Sequence, residues 1–199
     1  MNDLIKNSIT LLIVCILLAA MPTEAEGEIY GDTLRLHILA NSDSEEDQAL
    51  KIRIRDKLLT VYSEALSAAG SAEEAERMAE ELLPKIEASV CEWLNEWGSD
   101  YTAEATLGVE WYERREYGEL TLPAGYYTSL RIFIGNGEGQ NWWCVMYPPL
   151  CMEIATENAP ADDGLLDYTS EEITLIKGGK YNVKLKILEE LSRAFAKNG

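Results

Sequence analysis

The chain has 199 residues, of which 47% are hydrophobic and 26% charged, and a formal net charge of −18. That is apolar material enough for the core of one domain, and too little charge for a disordered acidic polymer. A body this acidic is repelled by nucleic acid and by anionic lipid surfaces, so neither is expected as a partner.

The first residues read as an export signal. Lys6 and the α-amino group give a weakly positive start, and "SITLLIVCILLAA" then runs apolar through Ala20 before Met21-Pro22. The run is shorter than the roughly 20 residues a membrane span needs, which suits a signal peptide. Small residues at Thr23 and Ala25 place the expected cut after Ala25, giving a signal peptide over 1–25 and one globular domain over 26–199. Removal takes away Asp3, Lys6 and Glu24 and moves the formal charge from −18 to −17. An uncleaved anchor is the alternative. Cys15 lies inside the apolar run with Val14 where a lipidation box needs a small residue, so lipidation is discounted.

"TLRLHILANSDSEEDQ" carries a strand and a helix start. Alternation puts Leu34, Leu36, Ile38 and Ala40 on one face and Arg35, His37, Leu39 and Asn41 on the other. Ser44 with Asp47, or Ser42 with Glu45, fits a helix-capping box. In the helix that follows, Leu50, Ile54, Leu58, Val61 and Ala65 form an apolar stripe, while Asp47, Lys51 and Arg55 form a charged one. Gly70 ends it, and Ser71 with Glu74 opens a second helix. Its stripe is Ala75, Met78, Leu82, Ile86, Val90, Trp93 and Trp97, and Pro84 is expected to kink it.

"TAEATLGVEWY" alternates as a strand, with Ala103, Ala105, Leu107, Val109 and Trp111 inward. "TSLRIFI" and "NWWCVMY" then read as a hairpin joined by the six-residue loop "GNGEGQ". Residues 155–172 are acidic and aperiodic and read as a surface loop, and "NVKLKILEELSRAF" closes the chain as a helix. The order β-α-α-β-β-β-α predicts an α+β fold, a two-layer sandwich of a mostly antiparallel sheet with helices on one face.

Three chemistries compete for "GNGEGQNWWCVMYPPLC". A phosphate loop needs a helix N-terminus after the glycines; here a strand follows and Glu138 stands inside the loop. A cysteine hydrolase would use Cys144 with the single histidine, His37, and Asn41. That reading is weakened because a strand cysteine lacks a helix N-terminus to activate it, and because exported cysteines near a partner oxidise. A disulfide between Cys144 and Cys151, with Pro148-Pro149 turning the chain between them, fits best. Adjacent Trp142 and Trp143 point to opposite faces of their strand, so one packs under the helices and the other is covered by a loop or exposed. No metal site, cofactor site or small-molecule pocket is signalled.

"LRLHILANSDSEEDQALKIRIRD" (Leu34–Asp56) and "LPAGYYTSLRIFIGNGEGQNWWCVMYPPLC" (Leu122–Cys151) together resemble the stage II sporulation protein R family of endospore-forming Firmicutes. The resemblance implies a signalling protein, not an enzyme, exported from the forespore into the intermembrane space of the sporulation septum. Its implied partner is a membrane-embedded aspartic peptidase of the mother cell, which then processes pro-sigma-E. The family supplies no catalytic residues. The motif matches mark an interaction or structural surface, and of these residues Arg35, His37, Asn41, Asp43, Gln140, Asn141, Trp142 and Trp143 are nominated as partner-binding. The competing expectation is a secreted Cys-His hydrolase acting on septal peptidoglycan or peptides.

Overall fold

The computed structural model describes residues 3–20, 24–117 and 120–149, and residues 168, 169, 172, 173 and 176. In chain order the elements are α1 (Asp3–Ala20), α2 (Glu24–Gly31), β1 (Leu34–Leu39), α3 (Glu45–Ser67), α4 (Ala72–Glu96), β2 (Ala103–Tyr112), β3 (Arg115–Tyr117), β4 (Leu120–Leu122), β5 (Gly125–Ile134) and β6 (Asn141–Tyr147). This is an α+β fold. Among the described residues no helix is long and apolar enough to cross a membrane. The expected cut after Ala25 falls within the first turn of α2, N-terminal to Ile29, which packs into the core.

Four strands form one sheet in the order β2-β5-β1-β6, with β1 parallel to β5 and antiparallel to β6, and β2 antiparallel to β5. The expected hairpin of β5 and β6 is therefore corrected: β1 is inserted between them. The physical reason lies in β1, buried on both faces along nearly its whole length, as a central strand must be. The loop at 135–140 does not close a hairpin but bridges over the end of β1.

α3 and α4 cover the inner face. Leu34, Leu36, Ile38, Leu130, Ile132, Ile134 and Cys144 meet Ile54, Leu58, Ile86, Val90 and Leu94 there. Each such side chain contributes about 1.5–3 kcal/mol on burial. Both expected caps are present. Ser44 accepts from the Asp47 amide at 3.1 Å, and Ser71 accepts from that of Glu74 at 3.2 Å. α4 runs through Pro84. Of the expected stripe Ala75, Ile86, Val90 and Trp93 are buried and Met78, Leu82 and Trp97 are half-buried against the same core, while Ala79 and Leu94 are buried beside them. In α3 the stripe departs after Leu58: Val61 is 49% exposed, while Tyr62 and Leu66 are buried. The Tyr62 hydroxyl reaches Ser89 of α4 at 2.7 Å, giving this tyrosine a buried seat that the apolar pattern alone assigns to Val61.

The outer face is half covered. α2, the β3–β4 hairpin and Tyr168 close a second core of Ile29, Tyr112, Leu120, Leu122, Tyr127 and Val145. Tyr168 and Glu172 are buried, so that end of the 155–172 stretch is not a surface loop. Thr169 and Glu172 exchange backbone-to-side-chain hydrogen bonds of 2.6 and 3.3 Å, the reciprocal pattern of a helix start. The rest of that stretch, the closing helix and Cys151 lie outside the described residues.

Candidate functional site

The matched motif residues separate into two sets, one at the end of β1 and one on its outer face. The first ties the β1–α3 turn to the bridging loop. Asn41 Oδ1 accepts from the Asn136 amide at 3.0 Å, and its Nδ2 donates to Asp47 at 2.9 Å and to the Tyr101 hydroxyl at 3.0 Å. Ser42 donates to the same Asp47 oxygen at 2.6 Å. Asp43 accepts from the Gln140 amide at 2.7 Å. Lys51 donates to the Gln140 carbonyl at 2.8 Å and to Gln48 at 2.6 Å, and Gln48 donates to the Ser42 carbonyl at 2.8 Å. The Gly139 amide reaches the Ala40 carbonyl at 2.8 Å, in continuation of the sheet.

The glycines make this approach possible. Gly135 has φ +57°, the left-handed region that glycine favours, and a Cβ on Gly139 would collide with the Ser42 carbonyl. The loop packs its backbone against backbone, which is why it carries glycines without being a phosphate cradle. Asp47 and Lys51, which the spacing places on the charged helix stripe, are 7% and 4% exposed. Burial alone would raise the Asp47 pKa, but hydrogen bonds from Ser42, Asn41, Tyr101 and Ser44 outweigh it and hold the carboxyl below its ordinary 3.8. Burial lowers the Lys51 pKa, with Asp43 opposing.

The second set occupies the outer face. Arg35 is fully buried, its guanidinium carbon 3.9 Å from the Tyr112 ring centroid and 4.8 Å from that of Tyr127. It donates to the Tyr117 hydroxyl at 2.5 Å, and among the described residues its Nε and Nη1 have no hydrogen-bond partner. His37 is 4% exposed. Its Nδ1 donates to the Glu110 carboxylate at 2.9 Å, and its Nε2 lies 2.9 Å from Asn141 Oδ1. Burial works against the charged form of Glu110, but the His37 hydrogen bond and the His37 and Arg131 charges prevail and lower its pKa.

The two tryptophans do part to opposite faces. Trp142 packs against the helix-side core with Arg55 at 5.3 Å from its ring, and Trp143 joins the outer core between His37, at 5.4 Å, and Arg115, at 3.8 Å. Both are half-buried, while Asp43, Gln140 and Asn141 are exposed. Of the nominated surface, Arg35 and His37 are out of solvent's reach, Asn41 is spent on the bridge, and the remaining five line one rim at β6.

The hydrolase alternative does not survive this register. Cys144 pairs with Leu36 and His37 with Trp143, so thiol and imidazole stand on opposite faces of the sheet. Asn41 lies beyond the strand end. The expected disulfide has one partner, Cys144, buried on the helix side, and the other, Cys151, outside the described residues. Sequence reasoning missed Tyr112, Tyr117 and Tyr127; the signal available was a charged Arg35 between two leucines of a mostly apolar strand, which demands a lining.

The family model for stage II sporulation protein R matches residues 31–157, the span from the end of α2 through β6 and a few residues beyond. Stage II sporulation protein R of Bacillus subtilis (strain 168) is 40% identical over 118 residues, covering 59% of this chain and 53% of that protein. The match thus spans about half the length of that relative. No solved structure matches the chain.

Proposed function

The chain belongs to the stage II sporulation protein R family, a sporulation protein, and from that premise we propose that it is an exported signal that activates a membrane-embedded aspartic peptidase in the mother cell and so leads to pro-sigma-E processing. The observation that carries the reading to particular residues is the β6 rim. Asp43, Gln140 and Asn141 are exposed there beside two half-buried tryptophans, each with an arginine over its ring. Half-buried tryptophan with a polar surround is the composition of an interface hot spot. A ligand activates only by binding the active state of its receptor better than the inactive one, and a rim fixed by the bridging loop suits that task. A signal peptide over 1–25, release into the septal intermembrane space and a Cys144–Cys151 bond clasping the end of β6 belong to the same proposal.

Co-expression with the candidate peptidase and its pro-factor tests it. Cleavage of the pro-factor that depends on this chain is the expected result. Cleavage that proceeds equally without the chain removes the signalling role.

A further inference from the structure

His37 is the chain's single histidine, and the two rim residues Asn141 and Trp143 both rest on it. The imidazole is buried on the central strand β1, so solvent does not contend for its nitrogens. On one side the Glu110 carboxylate of β2 takes Nδ1, with its two oxygens at 2.9 and 3.1 Å. On the other, Nε2 lies 2.9 Å from Oδ1 of Asn141 at the start of β6. Trp143 stands at 5.4 Å between ring centroids, its plane tilted 31° from that of the imidazole. Asn141 is exposed, and among the described residues its side-chain amide bonds only to His37.

Both nitrogens thus face oxygens that accept, whereas a neutral imidazole has one N–H to give. Burial works against the charge of Glu110, but the His37 and Arg131 contacts prevail, so the carboxyl is ionised at neutral pH and only accepts. Nδ1 therefore keeps its proton in either state of the ring, and the second proton comes and goes at Nε2. With that proton present, Nε2 donates to Asn141 Oδ1, the arrangement the structure shows. Without it, Nε2 is an acceptor and two lone pairs oppose each other. A half-turn of the Asn141 amide about its terminal bond removes the conflict, because Oδ1 and Nδ2 exchange places with almost no change of shape.

We infer that His37 is a positioning residue of the β6 rim: its protonation decides whether Asn141 presents outward the two N–H donors of Nδ2 or the acceptor Oδ1. In the doubly protonated state Oδ1 is turned inward and the rim takes an acceptor oxygen of its partner. In the neutral state the rim repels that oxygen. The partner's identity rests on the signalling reading, while the coupling of ring to amide stands without it. The charged groups round the ring act in both directions. Glu110 favours the second proton. Arg131, beside His37 in the β1–β5 register, Arg35 two positions back along β1, and Arg115 of β3, on the Trp143 ring, oppose it. Tyr112 of β2, 6.4 Å away ring to ring, is kept neutral by burial. On this face β6 brings Asn141, Trp143 and Val145, and no charge.

Nitrogen-15 NMR of the purified protein between about pH 5 and 8, the range in which histidine changes charge, tests the inference. Nδ1 should stay protonated throughout, Nε2 should gain its proton as pH falls, and the Asn141 side-chain amide should move with the same midpoint. A neutral ring protonated at Nε2, or an Asn141 amide that ignores the titration, overturns the inference. Glu110→Gln keeps an acceptor for Nδ1 and removes the charge, so ring and amide should shift together to lower pH by about one unit. Asn141→Asp fixes an acceptor opposite Nε2 and should shift the ring to higher pH by about as much. Unchanged midpoints in both variants overturn the inference as well. Binding to the solubilised candidate peptidase is the second readout. It should weaken by about tenfold as pH rises through the wild-type midpoint, and Glu110→Gln should move that fall to lower pH, which a purely structural histidine would not do. Binding of equal strength across the range overturns the rim's change of polarity. Absence of binding at every pH removes the signalling reading, while the NMR titration still decides the coupling.

Discussion

The two ends of β1 use polar residues in opposite ways. At its C-terminal end, Asn41, Ser42, Asp43, Asp47, Gln48 and Lys51 are joined to one another or to the bridging loop by hydrogen bonds of 2.6–3.0 Å. Toward its N-terminal end, Arg35 is enclosed by tyrosine rings, with two nitrogens unpartnered among the described residues. The first region gains from geometry that only those side chains satisfy. The second gains from packing and cation–π attraction and pays for an incompletely bonded charge. Of these polar residues, Asp43 alone is exposed. On the proposed reading the most polar part of the family motif is architecture, and recognition falls to the less conspicuous rim of β6.

The largest effect should come from emptying the tyrosine enclosure. Arg35→Ala removes the buried stem and the stacked guanidinium, and is expected to destabilise by about 3–4 kcal/mol in a denaturant titration. Arg35→Met refills the space without the charge and should recover most of that loss. If Met is as damaging as Ala, the charge itself is indispensable and the contrast between the two ends fails.

Next in size is Asn41→Ala. It leaves the Asn136 amide, Asp47 and Tyr101 each short of one bond, an expected cost of about 2–3 kcal/mol. Hydrogen exchange at the bridging-loop amides should accelerate locally at the same time.

Asp47→Asn is smaller and carries a pH signature. The folded carboxyl titrates below its ordinary 3.8, so its contribution is fully present above that value and is lost as pH falls through the folded pKa. The difference in melting temperature between wild type and Asp47→Asn should therefore be present at neutral pH and shrink below about pH 4. A difference that persists unchanged into strong acid would remove the ionised carboxylate from the account.

What the sequence discloses here follows the range of the interactions. Capping by Ser44 and Ser71, the α4 stripe and the strand character of β1 are set by residues a few positions apart, and each is visible in the spacing. The insertion of β1 between β5 and β6 joins residues about a hundred positions apart, whereas the short, glycine-rich loop between those two strands reads as a hairpin. The burial of Asp47 and Lys51 was hidden for a related cause. Periodicity assigns charged residues to water, whereas Lys51 is buried because the Gln140 carbonyl arrives from another part of the chain. Of the site itself, the opposed tryptophans and their rim were legible, while the enclosure of Arg35 required tyrosines contributed by β2, β3 and β5.

The most direct measurement of the central claim compares pro-factor cleavage per folded molecule for Asn41→Ala and Trp143→Ala in the co-expression system. The account predicts that Asn41→Ala lowers the melting temperature but leaves cleavage per folded molecule near wild type. Trp143→Ala should stay folded and lose most of it. The reverse pattern, with Trp143→Ala fully active and Asn41→Ala folded yet inactive, would move recognition from the β6 rim to the bridge and contradict the account.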